Sequence, residues 1–115
     1  MISIIVDEGY AFDLLSILKI KSDFYPDKNL DIYNSLFDLI KSQIGTEKFN
    51  TIIESNFYLE LLIENQNMWD TISLINNGVK IDGIKINTMN FTRHEKKRNL
   101  QKHFFDSELT ENKYS

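Results

Sequence analysis

A chain of 115 residues and 13.6 kDa has room for a single domain and little beyond it. At 42% hydrophobic and 26% charged its composition is globular, which excludes a fibrous or disordered chain, and the absence of cysteine excludes disulfide scaffolds, thiolate metal sites and cysteine nucleophiles. A net charge of −4 argues against a whole-protein nucleic-acid binder.

Ile2 to Val6 is short, apolar and β-branched and reads as a strand, residues 2–6. Asp7 then caps a helix from about Glu8 to Ser22. Residues 23–28, around the sole proline Pro26, read as the first loop. A second helix runs from about Asp27 to Ile44, with Leu30, Tyr33, Phe37, Ile40 and Ile44 on one face and Asp31, Asn34, Asp38 and Lys41 on the other. Gly45 ends it, and Thr46 caps a short helix through Ile53. A longer helix from about Ser55 to Asn76 stops at Asn77-Gly78.

Residues 79–86 read VKI-DG-IKI, with period-two alternation on both sides of Asp82-Gly83, the pattern of a β-hairpin. A hairpin so small needs helices to lean on or a pairing with residues 2–6. Asn87 or Thr88 starts a last helix through Phe105. Residues 106–115 are a polar tail expected to fray. The expected fold is mainly α: a single-domain bundle of four to five helices over residues 1–105, with a small hairpin.

Charge is uneven along the chain. Residues 87–105 hold five basic groups and one acid, whereas the other 96 residues hold eight basic and sixteen acidic groups. Ile, Asn and Lys fill 39 of 115 positions, which points to AT-rich coding rather than to chemistry. No apolar run reaches membrane-spanning length and the opening MISIIVDEGY lacks the basic region of a signal peptide, so the expected setting is cytoplasmic with no membrane partner.

Helical angles single out polar residues on apolar faces. Arg93 lies about 40° from Met89, between Leu100 and Phe104, in the middle of the apolar stripe of the last helix. A guanidinium keeps its proton and is not buried without partners. Asn65 falls in the same way inside the arc of Leu61, Met68, Ile72, Trp69 and Leu62. Asp13 lies between Ile17 and Ile20 on the first helix, and a carboxylate there needs a cation, for which Arg93 is the obvious choice. Asn90 and Lys97 sit on the rim of the Arg93 face, one turn to either side. Two readings follow: an internal polar network that sets helix register, or a small anion pocket floored by Arg93 and Lys97.

Other candidates are weaker. His94 and His103 read as solvated, and no metal-ligand spacing, P-loop, GxGxxG, HExxH or Ser/His/Asp order occurs, so no catalytic residue, metal or cofactor is assigned. The pairs Asp7-Glu8 and Glu60 with Glu64 read as capping or solvated acids.

The stretch from Gly9 to Lys21, G-Y-A-F-D-L-L-S-I-L-K-I-K, resembles the opening motif, GE-x-x-DKLTILEIK in spirit, of an uncharacterised bacterial and phage family. Members of that family are small helical proteins often encoded beside lipopolysaccharide or other glycosyltransferase genes. An asparagine four residues before a tryptophan (Asn65, Trp69) and N-x-x-R-x-x-x-K (Asn90, Arg93, Lys97) extend the resemblance. The chain departs from the motif at Tyr10, Leu14 and Lys19, where the family has Glu, Lys and Glu, and at Ile72 and Ser73, where it has an acidic pair. The resemblance implies a link to glycan or nucleotide-sugar biology and no assigned reaction.

Three functions compete. One is a non-enzymatic binding or accessory module, homo-oligomeric through Ile32, Leu36 and Leu39, serving glycan biosynthesis or phage–host interaction. Another is a binder of a phosphorylated small molecule, a nucleotide or sugar phosphate, using Asp13, Asn65, Trp69, Asn90, Arg93 and Lys97. The last, a small transferase or hydrolase with Asp13 as base, ranks lowest, because a carboxylate held by an arginine makes a poor base near neutrality.

Overall fold

The computed structural model describes residues 7–106, and the expected strand 2–6 and most of the tail lie outside them. Five helices follow one another: α1 (Glu8–Phe24), α2 (Pro26–Ile44), α3 (Thr46–Ile53), α4 (Asn56–Asn76) and α5 (Gly83–Gln101), the last running into a π-helical turn, Lys102–Asp106. They form one all-α domain, with no strand among the described residues.

Local chemistry explains each boundary. Asp7 Oδ1 accepts the Tyr10 N–H at 2.8 Å and so caps α1. The expected six-residue loop shrinks to Tyr25, because Pro26 occupies the first turn of α2. A proline there gives up an N–H that has no intrahelical partner anyway, so it opens a helix instead of breaking one. Gly45, at φ 94°, joins α2 to α3: its N–H donates to the Lys41 carbonyl at 2.9 Å and its own carbonyl accepts from Phe49 N at 3.0 Å. Gly45 thus takes the capping place expected of Thr46, which is instead the first residue of α3. Ser55 Oγ accepts from Tyr58 N at 3.2 Å to start α4.

The end of α4 corrects the expected hairpin at 79–86. Val79 N donates to Leu74 O and Gly78 N to Ile75 O, both at 3.0 Å, with Gly78 at φ 91°. These are the paired bonds of a Schellman cap, and they commit Val79 to closing α4. Asp82 Oδ1 then accepts the Ile84 N–H at 2.9 Å, making Asp82 the cap of α5 and Gly83 its first residue. Asp-Gly serves a helix start as readily as a hairpin turn, and an isolated two-stranded hairpin has too little to bury. The last helix therefore begins four residues before Asn87.

The fold is dry at one end and open at the other. Phe12 and Leu15 of α1, Ile40 of α2, Phe49 and Ile52 of α3, Tyr58 and Leu61 of α4 and Leu100 of α5 make one buried cluster. Phe12 is its hub, with ring centroids 5.9 Å from Phe49, 6.2 Å from Tyr58 and 6.4 Å from Phe105. Apart from the two α3 residues, the buried cluster is drawn from the N-terminal half of α1 and α4 and the C-terminal half of α2 and α5. Short α3 covers that end alone. At the other end α1, α4 and α5 continue without a fourth helix between them.

Close approach of α1 to α5 depends on Gly9. Its N–H donates to Gln101 Oε1 at 2.6 Å, and a Cβ on it would lie 3.0 Å from the Lys97 carbonyl and 3.1 Å from Gln101 Cβ. Gly9→Ala is expected to cost about 1–2 kcal/mol, because overpacking against backbone outweighs the propensity gain of up to about 1 kcal/mol. Gly83 has nothing within 4 Å, so Gly83→Ala is expected to be neutral or to stabilise by up to about 1 kcal/mol. Urea denaturation of both variants checks the pair, and a Gly83→Ala loss above about 1 kcal/mol contradicts a helix start at that position.

Candidate functional site

Periodicity placed three polar side chains from separate helices in the interior, and in the structure they meet. Arg93 Nη1 donates to Asp13 Oδ2 at 2.9 Å, and Asn65 Nδ2 donates to Asp13 Oδ1, also at 2.9 Å. Asn65 Nδ2 donates its second hydrogen to Ser16 Oγ, whose own hydroxyl donates to the Asp13 carbonyl at 2.7 Å. The amide orientation is dictated by these acceptors, and Oδ1 is the Asn65 atom these bonds do not use. Asp13 is 5% and Asn65 4% exposed. A carboxylate so buried is tolerable because both of its oxygens are charge-paired or hydrogen-bonded.

The pairs also fix helix direction. Gly9 with Gln101 and Asp13 with Arg93 set α5 antiparallel to α1. Glu60 with Lys96 at 3.7 Å and Thr71 with Met89 at 3.6 Å set it antiparallel to α4. Glu60, which read as a solvated acid, is thus an interhelix partner.

Beyond this network the three helices part around a cleft of about 520 Å³. Ile17, Ile20 and Lys21 line it from α1, Asn65, Met68, Trp69 and Ile72 from α4, and Ile86, Asn87, Asn90 and Arg93 from α5. Trp69 is braced from outside: Phe24 stacks on it with centroids 5.5 Å apart and planes 23° apart, and Tyr25 stands at 6.3 Å. Arg93 Nη2 points a long bond, 3.4 Å, to Asn90 Oδ1.

Of the six residues singled out in the sequence, Asn65, Trp69, Asn90 and Arg93 line the cleft, and Asp13 stands behind Arg93. Lys97 is the exception. Its Nζ lies 5.6 Å from the centre of the Tyr10 ring, and it is not among the lining residues. One further turn along α5 carries Lys97 past the network to the dry end, where α1 and α5 are in contact at Gly9.

Lys21, Asn87, Ser16 and Gln101 were missed. Ser16 lies three residues after Asp13 on the same face, a signal that was available. Lys21 stands in the last turn of α1, where a basic residue is ordinary and gives no signal of a site, and Asn87 was hidden by assigning 79–86 to a hairpin. Of the two histidines, His103 stacks on Phe57 with centroids 4.4 Å apart, so it is not merely solvated. Among the described residues, no three His, Asp or Glu side chains gather to hold a metal ion, and no helix is long and apolar enough to cross a membrane.

Comparison of the chain with protein-family models, with curated proteins and with solved structures gave no match. Within Gly9–Lys21, several residues have roles in the structure: Gly9 at the α1–α5 contact, Asp13 and Ser16 in the network, Ile17, Ile20 and Lys21 at the cleft.

Removing one partner from a buried pair leaves the other uncompensated, so Arg93→Met is expected to destabilise by about 3 kcal/mol. The double variant Asp13→Asn/Arg93→Met is expected to recover most of that loss; denaturation midpoints of the two proteins decide, and equal losses contradict the pairing. Next to Arg93, desolvation, followed by the Arg93 and Lys97 charges, lowers the His94 pKa from 6.5. The folded state then binds that proton less tightly than the unfolded chain, so stability is complete above pH 6.5 and declines as pH falls through the lowered value. The His94 ring proton is expected to titrate by NMR below 6.5 and to move upward in Lys97→Met; a midpoint at or above 6.5 contradicts this.

Proposed function

We propose that the chain is a non-enzymatic binding module that holds a small molecule in the α1–α4–α5 cleft. The observation that carries this reading is the cleft itself, about 520 Å³, with a flat braced indole as one wall and guanidinium and amide groups converging at the network end. That volume lies within the range of small-molecule sites, and mostly apolar walls with a few placed polar groups are their usual make-up. Arg93 is held in position by Asp13 before any ligand arrives, which lowers the ordering cost of binding.

The competing readings have less support. A base at Asp13 is disfavoured because both oxygens are engaged and the residue lies behind Arg93. A nucleotide or sugar phosphate gripped by Arg93 and Lys97 together loses one of its two cations, since Lys97 is over Tyr10. Self-association through α2 retains Ile32 and Leu39, both about half exposed at 54% and 51%, whereas Leu36 packs against the core. A role in glycan biosynthesis rests on the resemblance described above, and a ligand-binding accessory module is compatible with it.

Trp69, the sole tryptophan, reports directly on the cleft. Screening the full chain against a mixed metabolite collection is expected to yield compounds that both shift Trp69 emission and raise the melting temperature. At one hundred times Kd the stabilisation is about 2.7 kcal/mol, or roughly 10 °C for a domain of this size. A collection in which no compound does both at millimolar concentration removes the reading.

A further inference from the structure

Resting on the reading of the cleft as a ligand site, we infer that its ligand class is an apolar monocarboxylate, an aryl or alkyl body ending in one carboxylate. Charge sets the first condition. Two cations line the cleft, Arg93 and Lys21, and the Asp13 carboxylate 2.9 Å behind the guanidinium offsets one of them. One positive charge remains. A carboxylate neutralises it, whereas a phosphate dianion brings a second negative charge toward Asp13.

Donor geometry sets the second. Of the five guanidinium N–H groups, one is spent on Asp13 and one on the long contact to Asn90, so three are left for a planar acceptor. The Asp13 bond fixes the plane of the fork, and forks of this kind match a carboxylate in two parallel bonds. The Asn87 and Asn90 amides stand on the same helix beside it.

The remainder of the cleft sets the body. Ile17, Ile20, Met68, Trp69, Ile72 and Ile86 make its walls. Sugar hydroxyls against these side chains would have no partners, and each unpaired buried hydroxyl costs about 1–3 kcal/mol. An apolar body gains by the same contact. From Asn65 to Ile72 on α4, and from Arg93 back to Ile86 on α5, the helices advance about 10 Å. A ring with three or four methylenes spans that length from a head placed at Arg93, and the ring meets Trp69.

The test is a matched series on the full chain by isothermal calorimetry: 4-phenylbutyrate, 4-phenylbutan-1-ol, 4-phenylbutyl phosphate and inorganic phosphate. The carboxylate is expected to bind at least tenfold more tightly than either the alcohol or the phosphate ester, with no measurable binding of inorganic phosphate. In Asp13→Asn/Arg93→Met, which removes the guanidinium fork together with its counter-charge and leaves Lys21, the advantage over the alcohol is expected to fall to the severalfold share that Lys21 supplies. Lys21→Met, on an exposed rim position, serves if the double variant does not fold: it is expected to weaken the carboxylate severalfold and leave the alcohol unchanged. An alcohol or phosphate ester that binds as tightly as the carboxylate overturns the ligand class but keeps the cleft as a site. No binding by any of the four overturns the class as well; if the metabolite screen is also empty, the cleft reading falls with it.

Discussion

A carboxylate buried between three helices, held on one oxygen by an arginine and on the other by an amide, is the constraint around which this chain is organised. Asp13 reaches α4 through Asn65 and α5 through Arg93, residues 52 and 80 positions away along the chain. Apolar packing alone tolerates sliding of one helix on another by a turn, because leucine and isoleucine faces repeat. A carboxylate does not, since a slip of one turn would strand a buried charge. The network thus sets the axial register of α1, α4 and α5, and its energetic role is specificity as much as stability.

Register in turn decides where the protein is dry and where it is open. On one side of the network lie Phe12, Leu15, Phe49, Ile52 and Leu100, all at or near complete burial. Gly9 lets α1 and α5 come within backbone distance there. On the other side, α3 takes no part, and the same three helices surround the cleft. Arg93 belongs to both halves: its Nη1 closes the network, and its side chain, 19% exposed, reaches the open space. A polar group that terminates a core and begins a cleft is placed for recognition without any movement.

Much of this arrangement was legible in the sequence. Helix boundaries followed from Asp7, Gly45, Ser55 and Asn77-Gly78, because capping is local chemistry that neighbouring residues decide. The convergence of Asp13, Asn65 and Arg93 followed from helical angles, since a charged or amide residue inside an apolar arc must find partners when that arc is buried. Residues 79–86 were not legible in the same way. Their alternation satisfies a strand, yet Val79 is taken by the α4 cap and Asp82 by the α5 start, and only tertiary context chooses between the two. That one choice concealed Ile86 and Asn87 as cleft residues. Lys97 failed for a different reason: angle places a residue on a face but says nothing about which end of the face a neighbouring helix has already closed.

The contrast between Lys97 and Lys21 carries the chemical consequence. Two lysines at the ends of the same interhelix seam occupy opposite environments, one spent on the Tyr10 ring where α1 and α5 touch, the other at the rim where they part. Had Lys97 faced the cleft, three cations would have met one carboxylate, a balance suited to phosphate. With Lys21 in its place at greater reach, Arg93 alone governs the head of the site, and Asp13 halves the charge presented. The apolar walls then decide more of the affinity than the cations do. Trp69 is flat, and backed by Phe24 and Tyr25 it loses little freedom when something lies against it. Selection by shape and apolar contact, with charge used once to orient the molecule, is the recognition we propose for a bundle registered by the Asp13–Arg93 ion pair.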